Sequence, residues 1–287
     1  MPKRSWVRVA GALALLAAVA ACGGTPRKPA AAPPARTGPS GSPVGTTAAA
    51  APPADPAAVW AKWGLRPLPA APAAPADKPV KLSADGEVPV FSEVPTRDRV
   101  VFITVDDGAE KDPRFVEMMT DLRVPFSMFL TRDIVRGDYG YFKPLQALGN
   151  HIHNHSTDHP AMSTISPERQ HAEVCDAQAA LTEQYGTAPL LFRPPYGDGA
   201  HSAGLRGAVR ACGPRAVVLW RESMQIHDMQ YQAADKKLRP GDIILAHFRG
   251  PKDLKGESMT AMFGELLSRI REQGFAVARL EDYVDAG

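Results

Sequence analysis

The chain has 287 residues, of which 44% are hydrophobic and 22% charged, with 28 Pro and 24 Gly. That length holds one large domain or two ordinary ones, and an apolar fraction near the globular average excludes both a wholly disordered chain and a polytopic membrane protein. The net charge of +2 includes Lys3, Arg4 and Arg8; without them 30 Lys and Arg face 31 Asp and Glu, and with no Lys/Arg block of five or more a nucleic-acid partner has no support.

Lys3 and Arg4 precede an apolar run from Val9 to Ala21. About a dozen residues are too few to span a bilayer as a mature helix but suit the apolar region of a secretory signal. The run closes on Val19-Ala20-Ala21-Cys22, which resembles a bacterial lipobox. Residues 1–21 therefore read as a lipoprotein signal peptide, and Cys22 as an acylated residue anchoring an exported protein to the outer face of the cell membrane. An ordinary signal peptide with an incidental Cys is the plainer alternative. Residues 22–79 read as a tether. From Thr25 to about Pro56 the chain is mostly Ala, Pro, Thr, Gly and Ser, with little apolar side chain to bury, which predicts disorder; a second Ala/Pro stretch runs to about Ala76. Between them Val59-Trp60-Ala61-Lys62-Trp63 reads as a short helix docking by its two Trp, or as a carbohydrate-stacking platform.

The folded unit spans 80–287. Apolar or β-branched runs at Val100–Val105, Pro125–Leu130, Gly149–Asn154, Leu190–Arg193, Ala216–Trp220, Asp242–Ala246 and Phe275–Ala278 predict strands. Helical patterns at Phe115–Leu122, Pro167–Tyr185, Leu205–Ala211 and Met259–Gln273 lie between them. Repeated β–α units imply a parallel sheet with right-handed crossovers; seven strands suit an α/β barrel better than a small open sheet. No GxGxxG follows the first strand, so no nucleotide cofactor is expected.

With Cys22 assigned to lipid, Cys175 and Cys212 remain. Outside the cytoplasm such a pair oxidises and stays oxidised, and a disulfide is preferred over a reactive thiol because neither Cys is near a candidate base in sequence.

The polar residues cluster at the carboxyl ends of the predicted strands, the face on which a parallel barrel builds its sites. Asp106 and Asp107 end the first, with Gly108 permitting a tight turn. Adjacent carboxylates in one concavity repel unless a cation or proton intervenes, although a plain Asp-Asp-Gly turn has the same spelling. His155 ends the third strand and His159 follows at i+4, which in a helical loop would bring both imidazoles to one ion. Two imidazoles and one carboxylate suit Zn²⁺ or a similar divalent ion. His151 and His153 would share the face of His155 by strand alternation, so a three-His strand site is a rival, and they are otherwise structural. Arg193-Pro194-Pro195-Tyr196 ends the fourth strand, Trp220 the fifth and His247 the sixth. His247 is either a satisfied core histidine or, beside a metal, a general acid near neutral pH.

The order Thr-Val-Asp-Asp-Gly, His-Ser-Thr-Asp-His, Arg-Pro-Pro-Tyr and Leu-Ala-His resembles the polysaccharide deacetylase family (NodB homology, carbohydrate esterase family 4) over roughly residues 98 to 280. The resemblance implies a distorted (β/α)7-type barrel holding a divalent metal, most simply Zn²⁺ with Co²⁺, Ni²⁺ or Mn²⁺ as alternatives, and hydrolysis of acetyl groups on an N-acetylated glycan. Carried onto this chain, Asp107, His155 and His159 hold the ion and Asp106 is the base. Arg193 fixes that base, the Tyr196 N–H serves the oxyanion, and His247 protonates the leaving amine. Leu245 lines the acetate pocket, with Pro195 and Trp220 alongside. One motif departs: after Trp220 the family usually carries an Asp-Trp pair supporting the catalytic His or Arg, whereas this chain has Arg221-Glu222-Ser223-Met224, leaving Glu222 or Asp228 as substitutes. A deacetylase of a cell-wall polymer such as peptidoglycan, or of a chitin-like glycan, is the leading expectation. The alternatives are a catalytically weak or inactive glycan-binding lipoprotein and an O-acetyl esterase.

Overall fold

Along the central strand, VVFITVDD, seven of the eight residues are buried, the near-continuous apolar run expected of a parallel strand covered on both faces. The computed structural model describes residues 55–82 and 86–287; the signal segment, Cys22 and the Ala/Pro-rich stretch up to residue 54 lie outside the described residues. In chain order the elements are α1 (Pro56–Lys62), β1 (Val80–Lys81), β2 (Val90–Phe91), β3 (Val100–Asp107), α2 (Pro113–Leu122), β4 (Ser127–Leu130), α3 (Arg132–Val135), α4 (Phe142–Ala147) and β5 (His151–Asn154). Then follow α5 (Pro167–Tyr185), β6 (Leu191–Phe192), α6 (Ala203–Cys212), β7 (Ala216–Val218), β8 (Glu222–Met224), β9 (Met229–Tyr231), β10 (Ile243–His247), α7 (Met259–Glu272), β11 (Ala276–Val277) and β12 (Val284–Asp285).

The main sheet runs β2-β7-β6-β5-β4-β3-β10-β8-β9, with β11 also on β3, and every pairing in it is parallel except the β8–β9 hairpin. It curls into a half-barrel. All seven expected strands are present. Among the described residues no ladder joins β2 to β9, and an isolated antiparallel bridge links Glu93, just past β2, to Asp242 at the start of β10. The strands absent from the sequence reading, β1, β2, β8, β9 and β12, are two or three residues long, too short for a period-2 pattern to register.

Alternation along β3 separates two layers. Val101, Ile103 and Val105 join Phe115, Phe126, Phe248 and Phe263 on the helix side, where Phe115 meets the other three rings edge-on at 5.0 to 5.9 Å. Val100 and Phe102 face inward with Leu191, Val218, Ile243 and Tyr283. The helices start where capping chemistry places them: Asp112 and Ser166 accept from backbone N–H groups of the first turn, each with Pro at the first helical position.

The Trp-containing segment forms α1 and packs on α2. Trp60 is buried in the helix-side core, the Trp63 indole N–H donates to Asp121 at 2.9 Å, and Lys62 pairs with Glu117 and Asp121. Arg114 covers the Trp63 ring at 5.3 Å. A stacking platform needs a free ring face, and both rings are committed to packing.

Cys175 and Cys212 form a disulfide that staples α5 to α6, with Cα atoms 4.8 Å apart. Their sequence separation of 37 makes the cross-link worth about 4 kcal/mol in the chain-entropy account. The Cys175→Ser/Cys212→Ser variant is expected to unfold at markedly lower urea concentration; an unchanged midpoint would show that the α5–α6 packing alone fixes this loop.

Candidate active site and metal centre

Successive residues of a strand point to opposite faces, yet Asp106 and Asp107 both reach the mouth of the half-barrel. The backbone explains how. Thr104 and Asp106 occupy the inward positions of β3, and Asp107 takes a left-handed φ of 72° that turns its side chain back. Gly108 follows at φ 87°, where a Cβ would stand 2.4 Å from Val135, so only glycine completes this turn.

His155 leaves β5 and meets the same point. Its Nδ1 lies 2.7 Å from the Arg193 carbonyl, which makes Nδ1 the protonated nitrogen and leaves the Nε2 lone pair facing the cleft. The expected helical loop to His159 does not form. Ser156 and His159 adopt left-handed φ values of 71° and 65°, folding the segment into a compact bend. Asn154 accepts from the Ser156 N–H, Ser156 Oγ from the His159 N–H, and buried Glu173 of α5 from the N–H groups of Thr157 and Asp158. Glu173, invisible to motif reading because it sits in a helix distant in sequence, is what holds the bend. Such clustering of non-glycine left-handed residues marks strain maintained for function.

Oδ1 of Asp107 lies 3.4 Å from His155 Nε2 and 3.3 Å from His159 Nε2, and it is buried with no hydrogen-bond donor in line. Two donors of a tetrahedral ion with bonds of about 2.0–2.1 Å stand about 3.3 Å apart. Separation, donor set and orphaned oxygen all fit a divalent ion. The two imidazoles hold the Asp107 carboxyl far below the usual carboxylate range against the opposing pull of burial.

Asp106 is fixed beside them. Its Oδ1 accepts from Arg193 Nη1 at 2.7 Å, while its Oδ2 is 3.6 Å from His155 Nε2. Arg193 is fully buried and also donates to Thr104 Oγ1 and to the carbonyls of Val218 and Leu219. Its guanidinium stacks 4.2 Å from the Phe129 ring and 5.6 Å from Trp220. Thr104 opens the Thr-Val-Asp-Asp-Gly motif, but its role as a second acceptor for Arg193, two residues before Asp106 on the same strand face, shows only in the structure.

A cleft of about 250 Å³ brings together Asp106, Asp107, His155, His159, Tyr196, Trp220, Leu245 and His247, with Ser223, Gln225 and Arg249 completing the wall. Pro195 is buried behind Tyr196. Tyr196 is 70% exposed at φ 61°; its ring meets His159 edge-on at 4.8 Å, and its N–H finds no protein acceptor among the described residues. His247 stands beside Asp106 in the β10–β3 register. Burial pushes its pKa down to about 4 against the raising effect of Asp106 and Asp107, so it rests neutral rather than poised near pH 7. Neither candidate substitute in the fourth motif supports it. Glu222 is buried against Asp242, and that burial raises its pKa to about 8, while Asp228 is exposed and faces Arg269.

The three-His alternative does not form. His153 Nε2 is 2.6 Å from Glu281, which also accepts from Ser127 Oγ at 2.7 Å; His151 is exposed. Burial alone would raise Glu281, but the bonds from His153 and Ser127 bring it down to about 2. A carboxyl with a depressed folded pKa adds stability above its unfolded value of 4.5, and that stability is lost as pH falls toward 2. Glu281→Gln is therefore expected to narrow the difference in melting temperature between pH 7 and pH 3.5; an equal difference in both proteins would assign the acid sensitivity elsewhere.

Residues 93–217 match the family model described as polysaccharide deacetylase. An uncharacterized protein of Streptomyces coelicolor is 37% identical over 197 residues, covering 68% of this chain and 77% of that protein. A peptidoglycan-N-acetylglucosamine deacetylase of Bacillus cereus is 25% identical over 192 residues, 64% of this chain and 87% of the relative. In structure, a carbohydrate esterase family 4 pseudoenzyme from Bacillus anthracis superposes with a TM-score of 0.57 at 18% identity, covering 70% of this chain and 72% of the other.

Proposed function

The chain belongs to the polysaccharide deacetylase family, and from that premise we propose that it is a metal-dependent hydrolase removing acetyl groups from the N-acetylated sugars of a cell-wall or extracellular glycan. The observation that carries the reading is Asp107 Oδ1 within 3.4 Å of both imidazoles, beside an Asp106 carboxylate clamped by Arg193. Asp107, His155 and His159 would hold the ion, Zn²⁺ being the simplest match to two nitrogens and one oxygen. When bound, such an ion acidifies water and polarises an acyl carbonyl. The rest is done by the chain. Asp106, with Oδ1 occupied by Arg193, takes a proton at Oδ2. The Tyr196 N–H donates to the oxyanion that develops on the acetamido oxygen, and His247, neutral at rest, passes the proton taken up by Asp106 to the leaving nitrogen. Leu245 and Trp220 wall the acetyl pocket.

The lipobox-like spelling of residues 19–22, with a signal peptide over 1–21 and Cys22 as the lipidated residue, supports export and attachment to the outer face of the cell membrane. Fatty-acid labelling of wild-type but not Cys22→Ser protein tests that attachment. For the chemistry, acetate release from N-acetylglucosamine oligomers and from peptidoglycan is expected, lost on chelation and restored by Zn²⁺ or Co²⁺. A second reading, a glycan-binding protein with little turnover, is favoured by one observation: the His247 imidazole has no hydrogen-bond partner among the described residues. Glycan and metal binding without acetate release would select it.

A further inference from the structure

Arg249 lies two residues beyond His247 and lines the cleft with Asp107, His159, Tyr196 and Trp220. It also borders an adjoining cavity of about 100 Å³ shared with Gln225 and His247. The residue is half-buried, yet its guanidinium has no ion pair, hydrogen bond or ring contact among the described residues; only its backbone N–H is used, bonding the His247 carbonyl at 2.9 Å. The rest of the molecule makes this unusual. Every other described Arg or Lys that is not exposed is satisfied: Arg193, Arg206, Arg221, Arg132, Arg269 and Arg279 by carboxylates, and Lys78, Lys111, Arg215 and Arg271 by backbone carbonyls. The other described arginines without a partner (Arg66, Arg97, Arg123 and Arg210) are exposed. Asp253, four residues on, borders the same smaller cavity but is exposed and forms no ion pair with Arg249. An unpaired guanidinium on the wall of a cleft is free to meet an anion carried by whatever enters it, and here that cleft is the substrate cleft.

Resting on the deacetylase reading, we propose that Arg249 is a specificity residue for a carboxylate carried by the glycan at or next to the sugar being deacetylated, so that the substrate class is an acidic N-acetylated polymer rather than a neutral one. The planar guanidinium presents paired donors that match a carboxylate. A charge-assisted hydrogen bond of this kind is expected to favour the acidic substrate by about tenfold or more.

The test uses one polymer in two forms: peptide-free strands of alternating N-acetylglucosamine and N-acetylmuramic acid with free lactyl carboxylates, and the same strands amidated. Wild-type protein is expected to show a kcat/KM ratio of about ten or more for the acidic over the amidated form, shrinking as salt is raised. Arg249→Met is expected to bring the ratio to about one and Arg249→Lys to an intermediate value, with unchanged melting temperatures showing that both variants fold. A wild-type ratio near one, with acetate released from both forms, overturns the Arg249 assignment and leaves the deacetylase reading standing. A ratio that survives Arg249→Met also overturns it. No acetate from either form, nor from N-acetylglucosamine oligomers, overturns the deacetylase reading itself.

Discussion

Asp106→Asn is expected to lower kcat on N-acetylglucosamine oligomers by about 10³-fold, the loss typical of removing a general base, with Co²⁺ affinity changed only a few-fold. The two carboxylates are neighbours in sequence but occupy different environments. Asp106 makes a 2.7 Å bond to Arg193 and its Oδ2 stands 3.6 Å from the nearer imidazole, whereas Asp107 Oδ1 lies between both. An amide at 106 keeps the shape and can still accept from Arg193, but it cannot take a proton. Asp107→Asn should show the reverse pattern: Co²⁺ binding weakened by a factor of 100 or more on the scale of lost metal ligation and support, and activity partly recovered at high metal concentration. Titration calorimetry and initial rates on the same preparations separate the two. Equal loss of metal affinity in both variants would mean that both carboxylates ligate and that the division of labour is wrong.

That division is partly legible in the amino-acid sequence. The motif order fixed which segments meet, because residues at the carboxyl ends of parallel strands share one face, and Asp106, Asp107, His155, His159, Tyr196 and His247 all line one cleft. What escaped were contacts made by single residues far apart in the chain. Glu173 holds the His155–His159 bend from α5, and Glu281 captures His153 across 128 residues; no local period encodes either. The helical loop expected after His155 failed for a local reason, since left-handed backbone at Ser156 and His159 breaks any i, i+4 face. The His247 environment also depends on burial, which only the assembled half-barrel supplies. The α5 helix, by contrast, was read with its observed bounds because Ser166-Pro167 and Gly186 cap it at both ends.

Arg193→Met is expected to destabilise the fold by about 3–5 kcal/mol, the cost of leaving a buried charge without its partner. The guanidinium is fully buried and donates at 2.7 to 3.2 Å to Asp106, Thr104 and two backbone carbonyls. Methionine fills part of the slot between Phe129 and Trp220 but abandons a carboxylate that is itself only 2% exposed. The magnitude comes from that stranded acceptor set rather than from the pair's net worth, because replacing both members of a buried ion pair by apolar residues is often close to neutral. Arg193→Met/Asp106→Leu should therefore recover much of the loss, although it abolishes activity. Arg193→Lys should fall between, since an ammonium can reach Asp106 but cannot also serve both carbonyls or stack on Phe129. Urea unfolding of wild type, Arg193→Met, Asp106→Leu and the double variant closes a double-mutant cycle. A loss below about 1 kcal/mol in Arg193→Met, or a double variant no more stable than the single, would show that water reaches Asp106 and that the clamp orients the base without holding the fold together.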